Sequence, residues 1–298
     1  MKSKKIAIVL VNYNGIQDTK ECIESILKSS YNNYKIIVVE NNSQDKEHID
    51  SLSAVFPNIY IIKSKENLGF SGGNNLAINY SLTNNFDYIL LLNNDTIVDP
   101  NMISYLIENA NENQITVPKM LYYYEKDLIW YAGGKISKFT GNAKHFKMNS
   151  KNTTEVKSCT CTFATGCCMM INSNIFKKVG LLNEKFFMYC EDTEFCLRLL
   201  EKEISIRYIP KAILWHKVSR STGGSNSFFS TYYITRNRLY YIKMHNKFFS
   251  PLAIHFTFLS RYVRVIQYYL KKDNNYKAIL RAIHDYKKDI LGKVNNII

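Results

Sequence analysis

Short apolar runs alternate with stretches whose apolar residues recur every three or four positions, and this rhythm fills the first two thirds of the chain. Lys5 to Val11 reads as a buried strand, ended by Asn12-Tyr13-Asn14-Gly15. The spacing of Cys22, Ile23, Ile26 and Leu27 predicts a helix from about Asp18, an N-cap residue type, to Ser29. Tyr34 to Val39 reads as a second strand and ends in Glu40-Asn41-Asn42-Ser43-Gln44-Asp45. A helix and a third strand at Ile59 to Ile62 follow. Tyr88-Ile89-Leu90-Leu91-Leu92 is a continuous run, as in a parallel strand covered on both faces. Pro100 opens a helix to about Asn109, and Ile115 to Pro118 is a further short strand. Strands alternating with helices imply right-handed crossovers and a parallel sheet.

Residues 120 to 158 break the rhythm. Tyr122-Tyr123-Tyr124, Trp130-Tyr131-Ala132-Gly133-Gly134 and scattered lysines read as a mobile insertion of short strands. Cys161 to Ile171 is strand-like, interrupted at Gly166, and a short helix ends near Gly180. A helix starts at Glu191, and Ile204 to Ile209 and Ala212 to Trp215 read as final strands. From Phe228 the pattern is helical. The expected division is a body over 1–225, with halves 1–110 and 111–225, and a helical region over 226–298.

The net charge of +14 changes this picture, because it is not evenly spread. Residues 1–196 carry 20 lysines and no arginine against 20 acids, whereas residues 197–298 carry 19 bases against 5 acids and hold all eight arginines. A basic region seeks phosphates, whether of nucleic acid, anionic lipid or a small substrate. Pro251 to Leu270 is apolar but interrupted by His255, Arg261 and Arg264, a poor membrane span. It fits an interfacial helix with Arg261, Arg264, Lys271 and Lys272 toward headgroups, or a packed helical subdomain with a solvated basic face. The seven cysteines lack zinc-site spacing. The apolar run near the amino terminus stops at Asn12 with no small-residue cleavage site, so free thiols and a cytoplasmic setting, at the inner face of a membrane if the basic helix docks there, are expected.

Four polar groupings carry candidate chemistry. Asn93-Asn94-Asp95 follows the Tyr88 strand at its carboxyl end, where open α/β sheets bind ligands. Asp95 and Asn93 offer oxygens to a hard cation whose shell phosphates complete, although an Asx turn explains the same triplet. Glu66-Asn67-Leu68-Gly69-Phe70-Ser71-Gly72-Gly73-Asn74-Asn75 precedes a helix expected over Leu76 to Leu82. Its glycines would let backbone approach an anion, yet it has neither the Walker nor the Rossmann spacing. Glu191 and Asp192 follow Phe186-Phe187-Met188-Tyr189; a carboxylate against such a wall is partly desolvated, as a general base requires. His216 ends the last strand before a loop rich in Ser and Gly, a position suited to a metal ligand.

Together these pieces resemble a family 2 glycosyltransferase, nearest to the rhamnosyltransferase-like branch, across Ile6 to Gly224 with an echo at Arg236-Asn237. The resemblance implies a GT-A fold: a mixed, mostly parallel sheet flanked by helices. It implies that Asn12, Tyr13, Asn14, Glu40 and Asn42 line the nucleoside, with Asn67, Gly69 and Asn94 along the nucleotide. Asp95 and His216, with Asn93, would hold Mg²⁺ or Mn²⁺. Asp192 would be the base with Glu191 beside it, and Trp130, Gly166 and Tyr189 would face the acceptor. Glu40 stands where the family usually has Asp, and Asn93 replaces the first Asp of its Asp-x-Asp. The implied reaction is inverting transfer from a UDP- or dTDP-linked sugar to a glycan or lipid-linked glycan. A nucleotide-sugar pyrophosphorylase would carry arginine near its amino terminus, and the first arginine here is Arg198. A nucleic-acid-binding protein would explain the charge but not the ordered motifs. The oligomeric state is not encoded in any of these features.

Overall fold

A computed structural model describes residues 3–44, 47–152, 157–218 and 227–294. The first half contains β1 (Ile6–Asn12), α1 (Ile16–Ile26), β2 (Tyr34–Glu40), α2 (Glu47–Val55), β3 (Tyr60–Lys63), α3 (Gly69–Thr83), β4 (Tyr88–Leu92), β5 (Thr96–Val98) and α4 (Met102–Asn109). The second contains β6 (Gln114–Tyr122), β7 (Ile129–Tyr131), β8 (Gly134–Ile136), β9 (Ala143–His145), β10 (Cys159–Cys161), β11 (Cys168–Asn172), α5 (Ser173–Val179), α6 (Glu191–Glu201) and β12 (Ser205–His216). The helices α7 (Phe228–Met244), α8 (Leu252–Leu270) and α9 (Asn275–Lys287) follow.

The main sheet runs β10-β12-β6-β11-β4-β1-β2-β3, with β5 added to β12 and β7 to β6. The β3-β2-β1-β4 half is parallel, and β6 and β12 are parallel to each other. Between these two parallel blocks lies β11, antiparallel to both β4 and β6. Uninterrupted apolar runs fill the interior: β1, β2 and β4 bury their side chains on both faces, as helices on either side require. The polar residues that end β1, β2 and β4 emerge along one edge.

Several elements depart from the sequence pattern for identifiable reasons. Helix α1 begins at Ile16, with Gly15 as N-cap, so Asp18 lies within the first turn and pairs with Lys217 instead. Helix α3 begins at Gly69, not Leu76, so the glycine-rich stretch is its first two turns. Close packing against protein chooses these glycines. A Cβ on Gly69 (φ +69°) would lie 2.0 Å from the Phe187 carbonyl oxygen, and one on Gly73 would lie 2.9 Å from Val11. The apolar run Cys161 to Ile171 is not one strand: residues 162–167 form a connection between β10 and β11 that carries Gly166. Conversely, β12 is one strand where two were expected; its register with β6 slips between Ile209 and Ile213, around Pro210, which has no N–H to donate. The stretch read as an insertion is tied into the sheet through β7, and Tyr131, Ala132 and Ile136 are buried. Residues 153–156 of it lie outside the described residues.

The basic last third is also not a uniform phosphate-seeking surface. Arg236, Arg238 and Arg261 are buried, which corrects the placement of Arg261 among headgroup-facing residues. Arg236 donates to Asn237 Oδ1, to the Tyr232 hydroxyl and to the Gly292 carbonyl, binding α7 to the segment after α9. Among the described residues no helix is long and apolar enough to cross a membrane, and all seven cysteines are free.

Gly69→Ala is expected to cost about 2–5 kcal/mol, from left-handed strain plus collision with Phe187. Gly292→Ala is the control. It shares a positive φ of 71° but meets nothing within 4 Å, so it keeps only the strain. Urea unfolding of the two variants reads the difference, and equal losses would remove the packing role of Gly69.

Candidate active site

The strand ends are joined by a buried polar network. Asn12 donates from Nδ2 to Glu40 Oε2 at 2.5 Å, and the Ser43 amide donates to Glu40 Oε1 at 2.6 Å. Both Glu40 oxygens thus bind protein donors that link the ends of β1 and β2. Thr19 Oγ1 donates to Asn12 Oδ1, and Asn94 Nδ2 donates to Thr19 Oγ1 at 2.8 Å, extending the network to the end of β4. Asn14 and Asn42 adopt left-handed backbone (φ 54° and 61°), and the Asn14 amide donates to Ser43 Oγ. Asn42 Oδ1 is buried without a hydrogen-bond partner. It and Glu40 line a pocket of about 400 Å³ with Asp50, Lys63, Ser64 and Lys65. Tyr13 and Asn14 are exposed, at the rim of this edge.

Asn67 and Gly69 sit where the chain enters α3. Asn67 Oδ1 accepts from the Gly69 amide at 2.9 Å, and Asn41 clamps the turn, donating to the Gly69 carbonyl and accepting from the Leu68 amide. Asn41 lies within Glu40-Asn41-Asn42-Ser43, and the sequence alone gives it no role. Its buried amide now has one: it fixes the start of α3 against β2.

Asp95 and His216 meet because β5 pairs antiparallel with β12, placing Thr96 opposite His216. Asp95 Oδ1 lies 3.1 Å from His216 Nε2. The Trp130 ring packs edge-on against His216, with centroids 4.5 Å apart, which puts Trp130 beside the Asp95–His216 pair. Burial pushes the Asp95 carboxyl up, but the charge of the adjacent His216 outweighs it and holds it below the usual range. Burial likewise opposes charge on His216, yet its pKa is raised well above the usual value. The neighbouring Cys167 thiol, itself pushed up to about 11 by burial, is neutral at ordinary pH. Asp95 is therefore the anion that sustains the imidazolium.

These donors suit a divalent ion only in part. Asp95 Oδ1 meets His216 Nε2 as an ion pair, not as an aligned hydrogen bond, and neither it nor His216 Nδ1, both buried, has a hydrogen-bond partner, as unfilled ligand positions would lack one. Among the described residues no group of three or more His, Cys, Asp or Glu forms a metal cage. Two protein ligands fit an ion whose remaining positions come from phosphate oxygens and water. Asn93 contributes backbone: its N–H donates to the Cys167 carbonyl and its carbonyl accepts from Thr96 Oγ1.

Asp192 stands on the other side of the same connection. Its Oδ2 accepts from the Gly166 amide at 3.0 Å, and its Oδ1 accepts from the Thr193 amide and hydroxyl. Glu191 is buried, and its Oε2 has no partner. Burial raises the pKa of both carboxyls. They cannot both ionise side by side, and the hydrogen bonds decide between them: Asp192 carries the charge and Glu191 holds a proton. Before α6 the chain passes through Tyr189 and Cys190, both left-handed (φ 64° and 70°). Asn237 Nδ2 holds this strained corner by donating to the carbonyls of Met188 and Tyr189, each at 2.9 Å. The sequence offered Asn237 only as an echo; its function as a clamp needed the fold. Lys217 was missed altogether. Its N–H donates to the Asp95 carbonyl, and its Nζ reaches Asp18 and Glu21 on α1.

With this geometry in place, the relatives can be compared. The sequence pattern of glycosyl transferase family 2 matches residues 7–180, and the chain belongs to that family. It is 29% identical over 218 residues to the low-salt glycan biosynthesis hexosyltransferase Agl10 of Haloferax volcanii, covering 67% of this chain and 63% of that protein. It is 24% identical over 241 residues to the rhamnosyltransferase WbbL of Escherichia coli K12, covering 76% of this chain and 87% of that one. The structure resembles GalNAc-T7 solved with UDP, GalNAc and Mn²⁺, with a TM-score of 0.65 at 13% identity over 81% of this chain and 48% of that chain. The fold is GT-A, a mixed sheet flanked by helices.

The buried acid pair predicts a pH signature. Glu191 has a raised pKa, so its contribution to stability is full below the ordinary glutamate value of 4.5 and is lost as pH rises through the folded value. Glu191→Gln removes that loss. Its stability relative to the parent should therefore improve steadily from acid to neutral pH in urea unfolding. A pH-independent difference would mean that Glu191 does not titrate in this range.

Proposed function

We propose that the chain is an inverting glycosyltransferase that moves a sugar from a nucleoside-diphosphate sugar, UDP- or dTDP-linked, to a hydroxyl of a glycan or lipid-linked glycan. The observation that carries this reading is the pair Gly166-Cys167. The Gly166 N–H binds Asp192, and the carbonyl of the next residue, Cys167, binds the Asn93 N–H beside the Asp95–His216 pair. Two adjacent residues thus connect the proposed base to the proposed shelf for the leaving anion. The names of the relatives, a hexosyltransferase of glycan biosynthesis and a rhamnosyltransferase, favour a hexose or deoxyhexose donor.

In this reading the Asn42 pocket takes the nucleoside, with Glu40 and Asn12 shaping its floor. The longer Glu40, in place of the family's Asp, is matched by donors from both Asn12 and Ser43. Asp95 and His216, with the Asn93 turn, would hold Mg²⁺ or Mn²⁺, which when bound supplies Lewis-acid stabilisation of the departing diphosphate. Asp192 accepts the proton of the acceptor hydroxyl as that oxygen bonds to the anomeric carbon. The bond from that carbon to the diphosphate breaks in the same displacement, and the nucleoside diphosphate leaves. A single base opposite the leaving group gives inversion. Neutral Glu191 adds no second charge beside the base, and Gly166 orients the carboxylate. Trp130 and Tyr189 border the space an acceptor sugar would enter.

Asp192→Asn should keep nucleotide binding and lower kcat by roughly 10²–10⁴-fold, the span of positioned base catalysis. Turnover equal to the parent would remove Asp192 from the mechanism. In the parent, kcat should fall on acidification at a pH above the ordinary aspartate range, because burial raises this group. Asp95→Ala should abolish the Mn²⁺-dependent part of UDP or dTDP binding measured by calorimetry; a nucleotide affinity that still responds fully to Mn²⁺ would overturn the metal role.

A further inference from the structure

Helices α7 and α8 bring three arginines together with no acid to balance them. Arg238 and Arg261 are 5% and 8% exposed, and the Nε of each is buried without a hydrogen-bond partner. Among the described residues the carboxylates paired with arginines are Glu194 with Arg198 and Asp285 with Arg281. None reaches Arg238, Arg261 or Arg264. The helices are fastened at one point. An Arg238 Nη2 donates to the Thr140 carbonyl, and Thr257, one turn before Arg261, donates to that same carbonyl at 3.5 Å. Arg264 lies one turn beyond Arg261 and is exposed, so the cluster opens from buried to solvated along α8.

Burying a guanidinium with an unsatisfied N–H and no carboxylate beside it is costly, and removing its charge is not an escape, because arginine stays protonated. Burial and the charges of Arg238 and Arg264 bring Arg261 down only to about 10, still a cation at neutral pH. Such a site is built for an anion. Its place says which one. Cys190, immediately before the Glu191-Asp192 pair, lies within electrostatic reach of Arg238 and Arg261, and Tyr241 feels both arginines and Asp192. The cluster therefore lies near the base.

The outer face of α8 adds a second, independent feature. Leu252, Phe256, Leu259, Val263, Ile266 and Leu270 are all exposed and recur at alternating spacings of four and three, which makes one continuous stripe. The inward positions hold Ala253, Thr257 and Arg261 instead. An ordinary surface helix has the opposite arrangement. The helix contains no Asp or Glu, and Lys271 and Lys272 follow it.

We infer that Arg238, Arg261 and Arg264 form a subsite for the phosphoryl group of an acceptor whose lipid portion lies along the apolar stripe of α8. A phosphate or diphosphate ester matches three guanidinium groups in charge and in its capacity for paired N–H···O bonds. The anion site stands on its own geometry; its assignment to the acceptor rests on the transferase reading. It would place the sugar next to the phosphate, on a lipid diphosphate, near Asp192.

The test uses the full chain in EDTA, which silences the Asp95–His216 shelf, and reads melting temperature against inorganic pyrophosphate and farnesyl phosphate. Both should raise it, farnesyl phosphate at least tenfold lower in concentration. Arg261→Leu should melt higher than the parent without ligand, because it removes a buried unpaired charge, and should lose the response to both. Arg264→Glu, at an exposed position that leaves folding intact, should weaken both responses at least tenfold. Leu259→Glu with Ile266→Glu should weaken only the farnesyl phosphate response. No response from the parent, or an undiminished one in the arginine variants, overturns the subsite. Equal potency of the two probes overturns the lipid portion. UDP with Mn²⁺ is the separate arm: its failure beside an intact pyrophosphate response rejects the transferase reading and leaves the anion site standing.

Discussion

The structure depends on what the backbone of two adjacent residues can bind at once. The Gly166 N–H is committed to Asp192 and the Cys167 carbonyl to the Asn93 N–H. Because β11 runs antiparallel between two parallel blocks, its entry must turn at the edge where those blocks present their polar ends. Gly166 fits there because a Cβ would lie 2.9 Å from the Phe70 ring. Any residue with a side chain would have to push the Phe70 ring aside. Packing and chemistry therefore share one constraint at this position.

Burial without compensation is the recurring electrostatic device. Asp192 has three hydrogen bonds and can carry charge; Glu191, one residue earlier, has an oxygen with none and stays protonated. Asp95 and His216 compensate each other at 3.1 Å and still leave one atom each unsatisfied. Arg236, by contrast, is fully buried and fully engaged, so its charge has structural work inside the helical region. Net charge alone could not separate Arg236 from Arg238, since that distinction lies in partners, not in residue type.

The buried strands and the polar ends of β1, β2 and β4 were legible in the sequence, because strand periodicity and strand-end polarity are local signals; the pairing of Asp95 with His216 came only with the family resemblance. What stayed hidden was non-local. Gly69 and Gly73 read as a loop because glycine disfavours helix, but close contact with Phe187 and Val11 overrides that preference. Residues 162–167 are as apolar as a strand, and only the need to reach Asp192 breaks them. Arg261 looked like a surface cation on a basic helix, whereas its α8 face turns inward and the large apolar residues turn out. Asn237 stood out only within an echo of the family pattern, and its role was hidden because its partners lie 48 and 49 residues away in the chain.

The contact of Lys217 with Asp18 spans 199 residues, and that distance has a meaning in time. At the ribosome, at about 5–20 residues per second, α1 emerges about 10–40 s before its buried cation is made. During that interval Asp18 and Glu21 are without Lys217, and β5 and β6 are without the strand that pairs with them. The anchor of α1 and the Asp95–His216 pair therefore form together, when β12 arrives.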